Sequence, residues 1–234
     1  MAQFAITLFR YTALSLVALL ILLLPHAVWA QVNGEMEVVK LPSPRKGGPI
    51  SVEAALLKRR SVRLFKDIPL SLQAVSQLLW AAQGITDKRG FRTAPSAGAL
   101  YPLELYLFAG QVNGLASGIY RYRVKDHTLL PVTEGDSRET LCRAALRQDS
   151  ICQAPTVFLI AAVPEKTTGK YGERGVRYIH MEAGHTAQNI LLQAEALNLG
   201  SVVIGAFTDH EVSKLLNMEK GSLPLSIIPV GKAR

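Results

Sequence analysis

The run Pro155-Thr156-Val157-Phe158-Leu159-Ile160-Ala161-Ala162-Val163 is apolar almost without interruption. A strand with one face in water alternates polar and apolar residues; this one does not. It reads as a central strand buried on both faces. Such a strand needs neighbours on either side and a layer of apolar cover above and below, so it constrains the fold more than any other segment.

The covering elements are legible around it. Ser51 caps a helix running to about Arg60. Pro69 and Ser71 start a second helix whose apolar face is Leu72, Val75, Leu78, Leu79 and Ala82, ended by Gly84. Asp87 to Ala99 reads as a loop. Leu103 to Ala109 reads as a strand, and Gly118 to Val124 with Thr128 to Val132 as a hairpin around Lys125-Asp126-His127. Ser137 opens a helix to about Arg147. Lys166 to Gly175 is polar and reads as a loop before a long helix from about Val176 to Leu197. Ser201 to Ala206 reads as a short buried strand. Thr208 and Glu211 have the spacing of a capping box for a helix to Asn217, and Leu225 to Val230 is a last strand. Helices and strands are mixed in order, which makes an α+β domain rather than a βαβ alternation. No Gly-x-Gly-x-x-Gly follows a strand, so a Rossmann nicotinamide site is excluded as the leading reading.

The N-terminal thirty residues stand apart. Arg10 is their only charge, Leu14 to Leu24 is a leucine-dominated run, and Val28-Trp29-Ala30 offers small residues for cleavage after Ala30. Residues 1–30 are expected to be a secretory signal peptide. An uncleaved anchor is the alternative, because Tyr11 to Ala30 approaches the roughly 20 residues that span a bilayer. Membrane association depends on that alternative; otherwise the protein is exported to the periplasm or secreted. Residues 31–50 read as a flexible lead-in and 51–234 as one domain. The chain carries 26 Lys+Arg against 18 Asp+Glu. No lysine run or aromatic-interleaved basic stripe accompanies that excess, so nucleic acid is not an expected partner. Cys142 and Cys152 are able to pair in an oxidising compartment. No His/Cys cluster points to a metal.

Arg59-Arg60-Ser61-Val62-Arg63 closes the first helix with guanidinium groups and a hydroxyl. Such a segment suits a phosphate or an oxyanion; cations in a last helical turn also serve the helix dipole. Three further segments stand beside it in the chain: Pro95-Ser96-Ala97-Gly98-Ala99-Leu100-Tyr101-Pro102; Gly184-His185-Thr186-Ala187-Gln188-Asn189 followed by Leu199 to Phe207; and Pro229-Val230-Gly231-Lys232-Ala233-Arg234. Taken in this order, from about Ser51 to Arg234, they resemble the FMN-dependent nitroreductase superfamily, and within it the SagB/ThcOx-type dehydrogenases that include azoline oxidases.

The resemblance implies a nitroreductase-like fold, a central mixed and mainly antiparallel sheet flanked by helices. It implies FMN as cofactor. Arg59 would face the reducible pyrimidine edge or the ribityl chain, and Ser61 and Arg63 the phosphate. Arg60 joins the set, though it is the arginine best placed to be only a helix-end charge. Lys232 and Arg234 match the family's C-terminal basic pair. Ser96, Ala97 and Gly98 would run beside the isoalloxazine ring; Ala99 and Tyr101 stand where many relatives carry Asn and Gln. Ile204 and Gly205 would offer backbone groups over one ring face. Lys170-Tyr171 matches a pair implicated in proton abstraction by azoline oxidases. His185, Gln188 and Asn189 read as buried hydrogen-bond partners on the long helix. The implied activity is hydride transfer between a small organic substrate and an acceptor by a ping-pong mechanism, in a homodimer. A non-catalytic flavin- or ligand-binding module, or a membrane-associated interaction domain, is the alternative.

Overall fold

The computed structural model describes residues 37–234; the signal or anchor expected in residues 1–30 lies outside them. Among the described residues no helix is long and apolar enough to cross a membrane. The strands are β1 (Val39–Lys40), β2 (Leu70–Ser71), β3 (Leu103–Ala109), β4 (Val112–Asn113), β5 (Gly118–Arg123), β6 (Thr128–Glu134), β7 (Thr156–Ala162), β8 (Gly200–Ser201) and β9 (Leu223–Gly231). The helices are α1 (Val52–Lys58), α2 (Leu72–Gln83), α3 (Arg138–Ala144), α4 (Asp149–Gln153), α5 (Glu165–Tyr171), α6 (Arg174–Ala196) and α7 (Asp209–Leu215).

The apolar run is β7, and every one of its residues is buried. It sits between β3 and β9 in a sheet ordered β1-β6-β5-β3-β7-β9-β8, with antiparallel pairing throughout. Among the described residues, parallel pairing is confined to the small β2–β4 sheet and a bridge between Ser61 and Ser201. On one face, Val157, Leu159 and Ala161 join Tyr106, Phe108 and Ile227 beneath Leu141 of α3, Ile151 of α4, Val212 of α7 and Leu216 at the end of α7. Phe158 and Ile160 alternate to the other face, where α6 lies against β3, β7 and β9 and packs on α2. The caps of α1 and α2 form as expected: the Ser51 and Ser71 hydroxyls each accept an N–H bond, from Ala54 and Ala74, at 3.2 Å.

Four expectations are corrected. The polar stretch after β7 is a helix, α5, which Pro164 opens and which packs on α6. It has no apolar periodicity, and tertiary contact rather than local pattern holds it. The helix begun at Ser137 stops at Ala144; Leu146 and Arg147 turn through φ of 58° and 55°, and α4 follows. A Cys142–Cys152 disulfide joins α3 to α4 with a Cα–Cα distance of 5.6 Å. Thr208 precedes α7 but its side chain makes no cap bond. The lead-in is tied down from Val39 onward: β1 pairs with β6, Leu41 is buried, and the Arg45 N–H donates to Gln77 Oε1 at 2.7 Å.

His127, at the hairpin turn, fastens that lead-in. Ser76 donates its single hydroxyl proton to the Pro42 carbonyl. The Ser76 oxygen must then accept from His127 Nε2, 2.7 Å away, which leaves Nδ1 to accept from the Tyr122 hydroxyl at 2.7 Å. Burial holds the imidazole below its ordinary value of 6.5, against a weaker opposing pull from the Pro42 carbonyl. The unfolded chain therefore takes up this proton first as pH falls. His127 contributes its full stability above about pH 6.5 and loses it as pH drops through the folded value. Urea titrations are expected to show stability falling below about pH 6.5, and His127→Gln should flatten that part of the profile.

Candidate active site

The chain's edge, not its core, carries the expected cation cluster. Residues 61–66 lie between β8 and the C-terminal residues. The Val62 N–H donates to the Ser201 carbonyl at 3.0 Å, the Lys66 N–H to Lys232 at 2.8 Å, and the Arg234 N–H to Leu64 at 3.2 Å. Phe65 is buried in this seam and bridges to Ala233. The backbone thus brings Arg59, Ser61 and Arg63 to the same edge as Lys232 and Arg234, although some 170 residues separate them in the chain. Gly200 permits the approach: a Cβ there would lie 2.6 Å from Val62 Cγ1. Ser61, Arg63 and Arg234 are exposed, and Arg59 and Lys232 half-buried.

Two of the residues expected to contact the cofactor have partners within the chain. The Arg60 guanidinium turns back on its own helix, donating to the carbonyls of Leu57 at 3.0 Å and Arg59 at 2.8 Å. It closes the C-terminus of α1, the helix-end role for which it was the best placed of the three arginines. Ile204 pairs both backbone groups with Ile227, at 2.8 and 2.9 Å. Gly205 is exposed, and a Cβ there would meet nothing within 4 Å, which leaves a flat, open approach at that residue. The expected strand Ser201–Ala206 is broken accordingly: only Gly200–Ser201 and Ile204 pair. Gln148, in the turn closed by the disulfide, donates to the Ala206 carbonyl at 2.9 Å and steadies the segment after the strand.

A second cluster forms around the Ser96–Tyr101 loop. A Cβ at Gly98 would lie 2.7 Å from Tyr171 Oη and 3.2 Å from Lys170 Nζ. The expected Lys-Tyr pair and the expected ring-side loop are therefore in direct contact. Lys170 Nζ stands 5.4 Å from the Tyr171 ring centroid, and Tyr171 packs edge-on against Tyr178 of α6 at 5.2 Å. The loop is strained at Ala99 and Tyr101, with φ of 54° and 48°, while Gly98 takes a φ of 62° that glycine adopts freely. Ser96 Oγ accepts from the Tyr101 N–H at 2.8 Å, and the Ala97 N–H donates to Glu182 Oε1 at 2.8 Å. Arg92 lies over the Tyr101 ring, 4.2 Å from its centroid, and burial lowers its pKa against the charges of Tyr101, Tyr122 and Glu182.

Sequence reasoning missed Glu182, Arg92 and Gln83. A signal existed for Glu182: it falls between Ile179 and Ala183 on the core-facing side of a helix, where an acid is out of place. His185 and Gln188 are exposed, not buried partners; only Asn189 of that trio reaches inward, donating to the Thr93 carbonyl at 3.3 Å.

Comparison with known proteins gives the class. The Nitroreductase family model matches residues 56–232, so this chain belongs to the nitroreductase family, a family of oxidoreductases that generally use flavin cofactors. It is 44% identical over 199 residues to the nitroreductase-family protein MJ1384 of Methanocaldococcus jannaschii, across 85% of this chain and 98% of that one. It is 29% identical to the microcin B17-processing protein McbC of Escherichia coli, over 68% of this chain and 61% of McbC. Among solved structures, a nitroreductase-family protein of Ralstonia eutropha superposes with a TM-score of 0.75 at 27% identity, over 85% of this chain and 90% of the other. The E. coli microcin synthetase McbBCD complex, with truncated pro-MccB17 bound, superposes with a TM-score of 0.66 at 26% identity, over 91% and 83%. These matches agree with the SagB-like branch.

Gly200→Ala should destabilise the fold by about 1–3 kcal/mol through the clash with Val62, read by urea denaturation. Because the two positions touch, Gly200→Ala with Val62→Ala is expected to be more stable than the sum of the single changes.

Proposed function

We propose that this protein is an exported FMN-dependent oxidoreductase that passes hydride between a small organic substrate and an acceptor by a ping-pong mechanism. The observation that carries the reading is the convergence of Arg59, Ser61 and Arg63 with Lys232 and Arg234 at one sheet edge, a donor set suited to a phosphomonoester. Ser61 and Arg63, with Lys232 and Arg234, would hold the phosphate. Arg59 would face the pyrimidine edge, where a cation favours the negative charge gathered on reduction. Lys232 Nζ already donates to the Asn198 carbonyl at 2.9 Å, which keeps it close to this edge with donors to spare. The open face at Gly205 fits a flat ring. Bound there, FMN supplies two-electron hydride chemistry. Lys170 and Tyr171 are the groups placed to accept the proton that leaves the substrate when its hydride is removed.

A homodimer completes the proposal. The Ser96–Tyr101 cluster is tied to α6 at Glu182, and the basic edge is tied to Asn198 just past its end. At about 1.5 Å per residue those points are roughly 20 Å apart along the helix. A two-fold partner laying its loop beside the basic edge would join the halves. Exposed Val52, Leu56 and Leu57 on α1 and Val176 and Met181 on α6 are the apolar surface such a partner would cover. Export is supported by the Cys142–Cys152 pairing, which suits an oxidising compartment, and by the apolar N-terminal run.

Purified protein supplied with FMN should bind it stoichiometrically, and the dithionite-reduced holoprotein should be reoxidised by nitro or quinone acceptors faster than free FMN is. Absence of flavin uptake would sink the reading, and binding without acceleration would favour a non-catalytic module. Arg59→Ala and Arg63→Ala should each weaken FMN binding by about 1.5–3 kcal/mol, the worth of a charge-assisted contact. Unchanged affinity in both variants would reject the phosphate assignment.

A further inference from the structure

We propose that Glu182 is a positioning residue of this active site: its carboxylate clamps the Ser96–Tyr101 loop so that Gly98 meets Lys170 and Tyr171. The inference rests on the assignment of Lys170 and Tyr171 to proton transfer.

Glu182 is 4% exposed. A carboxylate in that position is costly unless it is bonded, and its place on the helix otherwise calls for an apolar residue. Its oxygen accepts the Ala97 N–H at 2.8 Å, at the first residue of the turn Ala97–Ala99. The loop needs external support. Ala99 and Tyr101 are not glycine, yet both hold left-handed backbone, at about 1–2 kcal/mol each.

The support comes from one stripe of α6. Glu182, Thr186 and Asn189 are spaced four and three residues apart and share a face. Thr186 Oγ1 accepts from Gln83 Nε2 at 2.7 Å, and Gln83 Oε1 accepts from Arg92 at 3.1 Å; Arg92 in turn lies over Tyr101. Asn189 holds Thr93. Both ends of the strained loop are thus referred to the same helix. So is the opposing wall: Tyr178, four residues before Glu182, seats the Tyr171 ring. Because Tyr178 and Glu182 are on adjacent turns of one helix, α6 sets the gap between Gly98 and the Lys170–Tyr171 pair. Glu182 is the only one of these contacts that fixes the backbone next to Gly98. A charged acceptor there is also stronger than a neutral one.

Glu182→Gln and Glu182→Ala in the full chain test this by two independent readouts. Amide exchange of the 96–101 segment, followed without flavin, should accelerate about tenfold or more in Glu182→Ala, as loss of a charge-assisted bond implies, with much less change in Glu182→Gln. In the FMN-loaded protein, acceptor reduction consumes a proton with each hydride, which the Lys170–Tyr171 pair would return in the reverse of its role toward substrate; kcat for that step should fall about tenfold or more in Glu182→Ala while FMN affinity stays within about twofold, with substantial recovery in Glu182→Gln. Unchanged exchange overturns the clamp, and faster exchange with unchanged kcat overturns its role in positioning. A wild-type chain that takes up no flavin would instead defeat the functional reading, and the exchange measurement would then decide the clamp alone.

Discussion

β7 has no face that water reaches, and that burial governs the rest of the molecule. Both of its faces must be covered, so helices lie above and below one antiparallel sheet. Both of its edges must be paired, so β3 and β9 flank it along their length. Pairing β9 to β7 draws the C-terminus across the sheet and delivers Gly231 to the edge at which residues 61–66 are seated. Gly231 is itself a place of close approach, since a Cβ there would lie 2.7 Å from Pro155 and 3.0 Å from Phe65. The basic edge is therefore a consequence of how the core strand is satisfied.

The two clusters differ in physical character. The basic edge is built by backbone pairing, with its cations half-buried or exposed and free to meet an anion. The Ser96–Tyr101 cluster is built by buried side chains that hold backbone in shapes it would not adopt alone. Strain of this kind persists where surroundings over-determine it, and the polar stripe of α6 provides that determination. α6 consequently serves as a core helix through Ile179, Ala183, Ala187 and Ile190 and as the frame of the loop cluster through Glu182, Thr186 and Asn189.

The main elements were legible because their patterns are local. The Ser51 and Ser71 caps, the apolar face of α2 and the hairpin around His127 each follow from residues within a few positions of one another. α5 was hidden because it has no apolar stripe and is held by α6. The stop at Ala144 was hidden because Leu146 and Arg147 adopt left-handed backbone that their residue types do not advertise. For the candidate site, the segments named from their residues do gather: Gly98 lies against the Lys170–Tyr171 pair, and backbone bonds set the chain after the first helix beside the C-terminal Lys232 and Arg234. Their direction was less legible. Arg60 turns to the end of its own helix, a role its position in the last turn already allowed, whereas the pairing of Ile204 with Ile227 is not encoded in neighbouring residues.

Sequence by itself determined a doubly buried strand, the helices that cover it, and four segments whose order and chemistry define the family. The strand and its helices are properties of composition and short-range spacing, set by the hydrophobic effect and by local backbone bonding; the family is legible as a resemblance in the order of the segments. Tertiary structure alone decided which distant hydrogen-bond partners the buried polar groups would find. A buried Glu182 signals only that some donor must come to it; that the donor is the Ala97 N–H depends on how α6 lies against a loop 85 residues away in the chain. The same holds for the cysteines, whose pairing required the turn between α3 and α4 to bring their Cα atoms to 5.6 Å.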